Sequence, residues 1–355
     1  MRSLIVGLTF LICLCLAELL VRDLHLARFL YTDPGFTVSS SSAYWSYKPG
    51  FVGRFTGDTP ASIGKFGERS HTYIATHPDL TIAITGDSVT FGQGLPTDLT
   101  YPALLEHRLR DSGLNARVLN FGVQGHTIDM AVAHLEDVYD RVLPDITVLA
   151  FTVDDLNPSR RQNRVDEYGY LTKTAFGTGS VFGDATRAAL RHSQLCLLAK
   201  AAYLKTKSRL GHDWPSDQRQ AQMAVGLFLK SVTAFEKQAR NDNKIVLNLD
   251  PRPSALTQAL SDCIRSNFPQ LPYVEMWPEL ARYSPGSLVV PGDGHPNQTA
   301  HRIYADRLAA ELLRVLGRQD AVVARKAPCT NLAFVRQPSH RYESKDKADA
   351  SDYCR

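Results

Sequence analysis

Ile82-Ala-Ile-Thr-Gly-Asp-Ser-Val-Thr-Phe-Gly-Gln-Gly94 is the stretch that decides the fold of this chain. An apolar run leads into Gly86-Asp87-Ser88, and Gly92 and Gly94 follow with one residue between them. That pattern predicts a strand running into a tight turn, with a hydroxyl left at the strand's carboxyl end. In open α/β sheets ligands bind at that end, so Ser88 is placed to meet a substrate. Taken alone, a serine that merely caps a helix or fills a turn would read the same way.

The flanking sequence continues the rhythm. Leu80 to Thr85 predicts a strand, and Thr100 with Pro102 opens a helix striped by Leu104, Leu105 and Leu109. Arg117 to Phe121 predicts a second strand, closed by Gly122-Val-Gln-Gly125. Ile128, Val132, Leu135, Tyr139 and Val142 recur at helical spacing until Pro144, and Ile146 to Phe151 predicts a third strand. Near-continuous apolar strands alternating with helices imply a parallel sheet covered on both faces, an α/β three-layer fold. Further on, Val225, Phe228, Leu229, Val232 and Phe235 predict a helix, Ile245 to Leu249 and Tyr273 to Met276 two strands, and Ile303 to Val315 a last helix stopped by Gly317. Residues 157–222 break the rhythm and read as an insertion beside the site. Residues 26–79, with Ser39 to Ser42, Pro49-Gly50, Gly53 and Gly57, read as a linker and approach segment, and 319–355 as a polar tail. A single domain over 80–318 is then the body.

Length and composition allow one large domain: 355 residues, 44% hydrophobic and 21% charged, with a formal net charge of +4. The basic residues show no interleaving with aromatics of the kind that grips nucleic acid, so none is expected as a partner. Residues 1–25 carry a basic start and an apolar run from Leu4 to Val21. Its length is at the lower edge of what spans a bilayer, and no small-x-small cleavage site follows it cleanly. A single-pass signal anchor with the body periplasmic or extracellular is expected; the alternative is a secreted protein after signal cleavage. Cys13 and Cys15 lie in the apolar run, whereas Cys196, Cys263, Cys329 and Cys354 would meet an oxidising compartment, with their pairing open. Their spacing fits no zinc motif, and no metal or cofactor is expected.

A serine hydroxyl is a weak nucleophile unless a base takes its proton. His295 supplies one, in the loop Pro291-Gly-Asp-Gly-His-Pro-Asn297 just before the last helix, with Asp293 two residues upstream. In an extended loop, residues i and i+2 project to one side, so Asp293 can hold one imidazole nitrogen and leave the other for Ser88. Acyl transfer also needs donors aimed at the developing oxyanion, and the N–H groups of Ser88 and Gly125 are candidates.

GDSVTFGQG, NFGVQG, FTVDDLN and DGHPN, in that order, resemble the four blocks of the SGNH (GDSL-type) hydrolases. An N-terminal apolar segment followed by Lys65-Phe66-Gly67-Glu68-Arg69 resembles exported bacterial members. The resemblance covers about residues 80–316. It implies a flavodoxin-like sheet and a serine esterase acting on O-acyl esters, acetylated carbohydrate ahead of lipid. It assigns Ser88 as nucleophile and oxyanion donor, Gly125 as second donor, His295 as base and Asp293 as its orienter. Two positions depart from the pattern. Asp154 stands where the family has an oxyanion-donating asparagine, and an ionised carboxylate accepts but does not donate. Ala300 stands where a glycine usually precedes the second histidine, here His301. An O-acyltransferase using the same residues, and a non-catalytic binding protein on a degenerate SGNH fold, are the rival readings.

Overall fold

A computed structural model describes residues 2–24, 26, 33, 35–55, 59–71, 77–158, 161, 163–165, 171–173, 193–199, 202, 214–215, 217–238, 243–291 and 293–317. Five strands form the heart of an eight-stranded sheet: β6 (Leu80–Gly86), β7 (Ala116–Gly122), β8 (Ile146–Phe151), β11 (Asn243–Asn248) and β12 (Tyr273–Glu275). All four pairings among them are parallel, in the spatial order β7, β6, β8, β11, β12. Counted along the chain that is order 2-1-3-4-5, the flavodoxin-like arrangement, whose strand order reverses between the first and third strands. Here the reversal falls between β6 and β8.

The strands are buried because both faces are covered. On one face, α3 (Tyr101–Asp111) and α8 (Gln298–Val315) close over Ile82, Ile84, Val118, Val148 and Ile245. On the other, α4 (Ile128–Val142), α5 (Gln218–Gln238) and α6 (Ala255–Asn267) cover Ala83, Leu119, Leu149 and Val246. Helix α6 was not expected from the sequence, although Ser254 caps it by accepting the Thr257 N–H and Leu256, Leu260 and Ile264 recur on its buried side. The second histidine of the final motif is structural: buried His301 accepts the Tyr101 N–H at 2.9 Å, tying α8 to the start of α3.

The linker reading fails over residues 37–70. These form β1 (Thr37–Ser40), β2 (Tyr44–Tyr47), β3 (Val52–Phe55), β4 (Thr59–Ile63) and β5 (Arg69–Ser70). Strands β3 to β5 extend the main sheet antiparallel beyond β7, while β1 and β2 pair as a separate hairpin. Strands of two to five residues are too short to show a period among the glycines and serines. What folds them is an aromatic cluster of Phe36, Trp45, Tyr47 and Phe55 packed around Phe91, each of these at most 2% exposed.

Of the 157–222 insertion, β9 (Asn163–Val165) and β10 (Leu171–Lys173) form a hairpin, residues 194–199 are helical, and α5 begins at Gln218. The 319–355 tail lies outside the described residues. Cys196 is free and Cys263 is disulfide-bonded; Cys329 and Cys354 lie in that tail. Helix α1 (Arg2–Asp23) is largely exposed, with a mean hydropathy of 2.7 in its most apolar window. It is long and apolar enough to cross a membrane, a test that a signal sequence also passes. Its inner carboxylate, Glu18, accepts from Ser193 Oγ at 2.7 Å and from the N–H groups of Gln194 and Leu195 at 2.9 and 3.0 Å.

Candidate active site

The chain turns sharply after β6. Asp87 accepts the Val89 N–H at 2.8 Å and so starts the single turn of helix α2 (Ser88–Phe91). Ser88, at the first position, is 7% exposed. The turn lies so close to β7 that a Cβ on Gly122 would stand 2.2 Å from the Phe91 nitrogen, which is why glycine occupies that position. Asn120 donates to Thr90 O at 3.0 Å and accepts the Gly122 N–H at 3.0 Å, locking strand to turn.

Arg69 braces the turn from the far side. Its guanidinium, 1% exposed, donates to Phe91 O, Gly92 O and Leu95 O at 2.7, 2.9 and 2.7 Å, and lies over the Phe91 ring. Burial pulls its pKa down to about 9, which leaves it charged at neutral pH.

Across the site, residues 288–291 fold back against residues 293–297. Asn297 caps α8 by accepting the Thr299 N–H and donates its amide to Ser287 O, while Val290 N–H donates to His295 O at 2.7 Å. The fold-back brings together the three residues the sequence singled out. Asp293 Oδ1 lies 2.9 Å from His295 Nδ1, and His295 Nε2 lies 2.9 Å from Ser88 Oγ. A carboxylate only accepts, so Nδ1 carries the hydrogen and Nε2 is left to accept from the serine. Gln93 Nε2 also donates to Asp293 Oδ1, at 3.3 Å.

The two N–H groups named as oxyanion donors share a property. Ser88 N–H precedes any partner its own helix can offer. Gly125, at φ +76° in the loop after β7, lies between Gln124, whose N–H is taken by Tyr47 Oη, and His126, whose N–H is taken by Val123 O. Neither Ser88 N–H nor Gly125 N–H has a hydrogen-bond partner among the described residues.

In strand order and motif order the chain resembles the SGNH hydrolases. No family model matches it. An arylesterase from Vibrio mimicus is 27% identical over 74 residues, which is 21% of this chain and 37% of that protein. The match thus spans little more than a third of that relative. A family two carbohydrate esterase from Clostridium thermocellum, solved in complex with cellohexaose, aligns at 13% identity over 71% of this chain and 68% of its own, with a TM-score of 0.39. A two-domain esterase active on acetylated mannans, co-crystallized with mannopentaose, aligns at 18% identity over 68% of this chain and 50% of its own, also with a TM-score of 0.39.

Asp154, in the asparagine position of the SGNH pattern, lies in the short 3-10 helix Val153–Leu156 that follows β8, with its side chain exposed. Beside it is a carboxyl that the sequence reading missed. Asp250, just past β11, accepts the Val153 N–H at 3.0 and 3.2 Å. Burial pushes its pKa up to about 7; the Val153 N–H works against the rise, and the charges of Asp154 and Asp87 add to it. Among the residues that escaped the sequence reading, Gln93 carried a signal, its place between two glycines of the quoted stretch. Asp250, Trp45 and Tyr47 carried none, because only the fold brings them to the site, and Arg69 stood out only as the end of the Lys65–Arg69 likeness.

Proposed function

We propose that the chain is a serine ester hydrolase that forms an acyl-enzyme on Ser88. The observation that carries this reading is the continuous hydrogen-bonded set of Asp293, His295 and Ser88, at 2.9 Å for each link. Ser88 Oγ attacks the ester carbonyl carbon as His295 Nε2 takes its proton, and Asp293 holds the resulting imidazolium. The negative charge gathering on the carbonyl oxygen is met by the Ser88 and Gly125 N–H groups. Collapse expels the alcohol, which receives the proton from His295. Water then repeats the sequence on the acyl-serine, releasing the acid and restoring Ser88.

The substrates we propose are O-acyl esters, with acetylated carbohydrate ahead of lipid; the likeness of the four motifs to the SGNH blocks favours this. The body is a hydrolase domain over residues 80–318, to whose sheet the strands β3 to β5 of the approach segment are added, with the 157–222 insertion beside the site and a polar tail from 319. A membrane anchor in residues 1–25 holds it at the periplasmic or extracellular face. The contact of Glu18 with residues 193–195 supports a retained α1 over a cleaved one.

Incubation of the full chain with a p-nitrophenyl ester, alongside fluorophosphonate labelling, tests the reading. Turnover and labelling that Ser88→Ala abolishes are expected. An unlabelled, inactive wild-type protein would overturn the esterase and leave the non-catalytic binding protein in its place.

A further inference from the structure

Gly125 is useful as an oxyanion donor only if its N–H points the right way, and glycine is the residue least able to fix its own backbone. The direction comes from elsewhere. The Gln124–Gly125 bond is trans, so the carbonyl of Gln124 and the N–H of Gly125 belong to one rigid plane and point in opposite directions. Whatever pins the carbonyl therefore aims the N–H.

The pin is an indole. Trp45 Nε1 donates to Gln124 O at 3.1 Å. Trp45 is fully buried in β2 and is itself anchored, because its own carbonyl accepts from His126 Nε2 at 2.8 Å. A carbonyl oxygen only accepts, so His126 is the Nε2–H tautomer; burial takes its pKa down to about 3 and keeps it neutral there. Tyr47 Oη accepts the Gln124 N–H at 2.7 Å. That bond belongs to the preceding peptide and fixes the loop's position, whereas the Trp45 bond fixes the plane that carries the Gly125 N–H. Val123 N–H joins the same loop to the nucleophile turn by donating to Gly86 O at 3.0 Å.

We propose that Trp45 is a positioning residue for catalysis: its indole N–H holds the Gln124 carbonyl and so aims the Gly125 N–H into the oxyanion hole. The inference rests on the acyl-enzyme reading above. Without the indole N–H, the 124–125 peptide is free to rotate and present its carbonyl where the oxyanion would form. The hairpin of β1 and β2 is then a working wall of the active site.

Trp45→Phe removes the donor. Loss of one oxyanion donor costs about 100- to 1000-fold in rate, and partial misalignment is expected to lower kcat about 10- to 100-fold while KM stays within about twofold. Affinity for a trifluoromethyl ketone, which places an oxyanion in the hole, should fall by the same factor. Phe55→Leu, a packing change in the same aromatic cluster, serves as the control: it lowers urea stability but retains kcat. Should Trp45→Phe not fold, 3-benzothienylalanine at position 45 replaces the N–H with sulfur in the same shape. A folded variant with unchanged kcat, or an equal loss of kcat in Phe55→Leu, would overturn the proposal. The Gly125 amide resonance in 15N-glycine-labelled protein reads the peptide plane without any turnover. It should move in the position-45 variant and not in Phe55→Leu, and an unmoved resonance sinks the inference whatever becomes of the esterase.

Discussion

Two loops at neighbouring strand ends build this site, and they are held in opposite ways. The turn after β6 contains its own cap in Asp87, is locked by Asn120 of the adjacent strand, and has its carbonyls gathered by the buried guanidinium of Arg69. Among the described residues, no charged group holds the backbone of the loop after β7. It hangs from two aromatic side chains of β2, through Trp45 Nε1 to Gln124 O and Gln124 N to Tyr47 Oη. The first loop holds the proposed nucleophile, and the second is proposed to supply only a backbone donor. A group whose side chain does chemistry is thus tied down by side chains that chemistry or capping demands. A backbone donor can be oriented by any residue with an N–H in the right place.

The largest effect should come from breaking the loop opposite the nucleophile turn. Asp293→Ala leaves His295 without its orienter and without support for the imidazolium, and kcat is expected to fall about 10⁴-fold. Gln93 then loses its partner as well. Steady-state kinetics on the p-nitrophenyl ester checks this, and a loss of under tenfold would mean that the fold-back of residues 288–291 against 293–297 orients His295 unaided.

Next in size is the brace. Arg69→Met keeps most of the side chain's length but strips donors from three buried carbonyls. Leu95 O is then left without a donor, while Gly92 O keeps the Leu95 N–H at 3.2 Å and Phe91 O keeps the Asn120 amide at 3.4 Å; with hydrogen bonds to a charged group lost, a drop of about 3 kcal/mol in urea unfolding is expected. If Arg69→Met unfolds no more easily than Phe55→Leu, the contrast between a charge-held loop and an aromatic-held loop collapses.

That contrast also explains what was legible in the sequence. The parallel core could be read because buried strands such as ITVLAF are continuously apolar and their helices carry stripes. Ser88, Asp293 and His295 could be singled out because the roles proposed for them, nucleophile, orienter and base, need particular residue types in turns with particular glycines. Residues 37–70 looked like a linker because strands this short have no period, and because the surface Trp45 and Tyr47 bury against belongs to residues 91 and 124–126. Arg69 was visible only as part of a motif likeness; its work, donating to carbonyls 22 to 26 residues away, leaves no mark on local sequence. Asp250 was hidden for a related reason, since an aspartate after a strand reads as an ordinary loop residue until burial is known.

The smallest effect lies in that carboxyl. Asp250 has its pKa raised from 3.8 to about 7, so the folded state holds its proton more tightly than the unfolded chain does. The sign follows: the native state is favoured at low pH, and this advantage is lost as pH rises from about 4 to about 7, beyond which the cost of the buried charge is complete. Asp250→Asn keeps an oxygen for the Val153 N–H and never ionises. Relative to that variant, the wild type should lose about 1–3 kcal/mol between pH 4 and 8, solvent screening at a partly exposed group reducing the full shift. Asp154→Asn removes one of the two like charges that add to the rise, so it should shift the fall to lower pH and make it smaller. Urea midpoints at pH 4, 6 and 8 distinguish these outcomes, and parallel curves for wild type and Asp250→Asn would show that Asp250 ionises freely. The catalytic consequence follows from position. Asp154, Asp250 and Asp87 cluster at the switch point between β6 and β8, the end of the sheet where Ser88 would generate an oxyanion, and negative charge there opposes it. A neutral Asp250 lessens that opposition below about pH 7, so Asp154→Asn should raise kcat by a few fold at pH 8 and by less at pH 6.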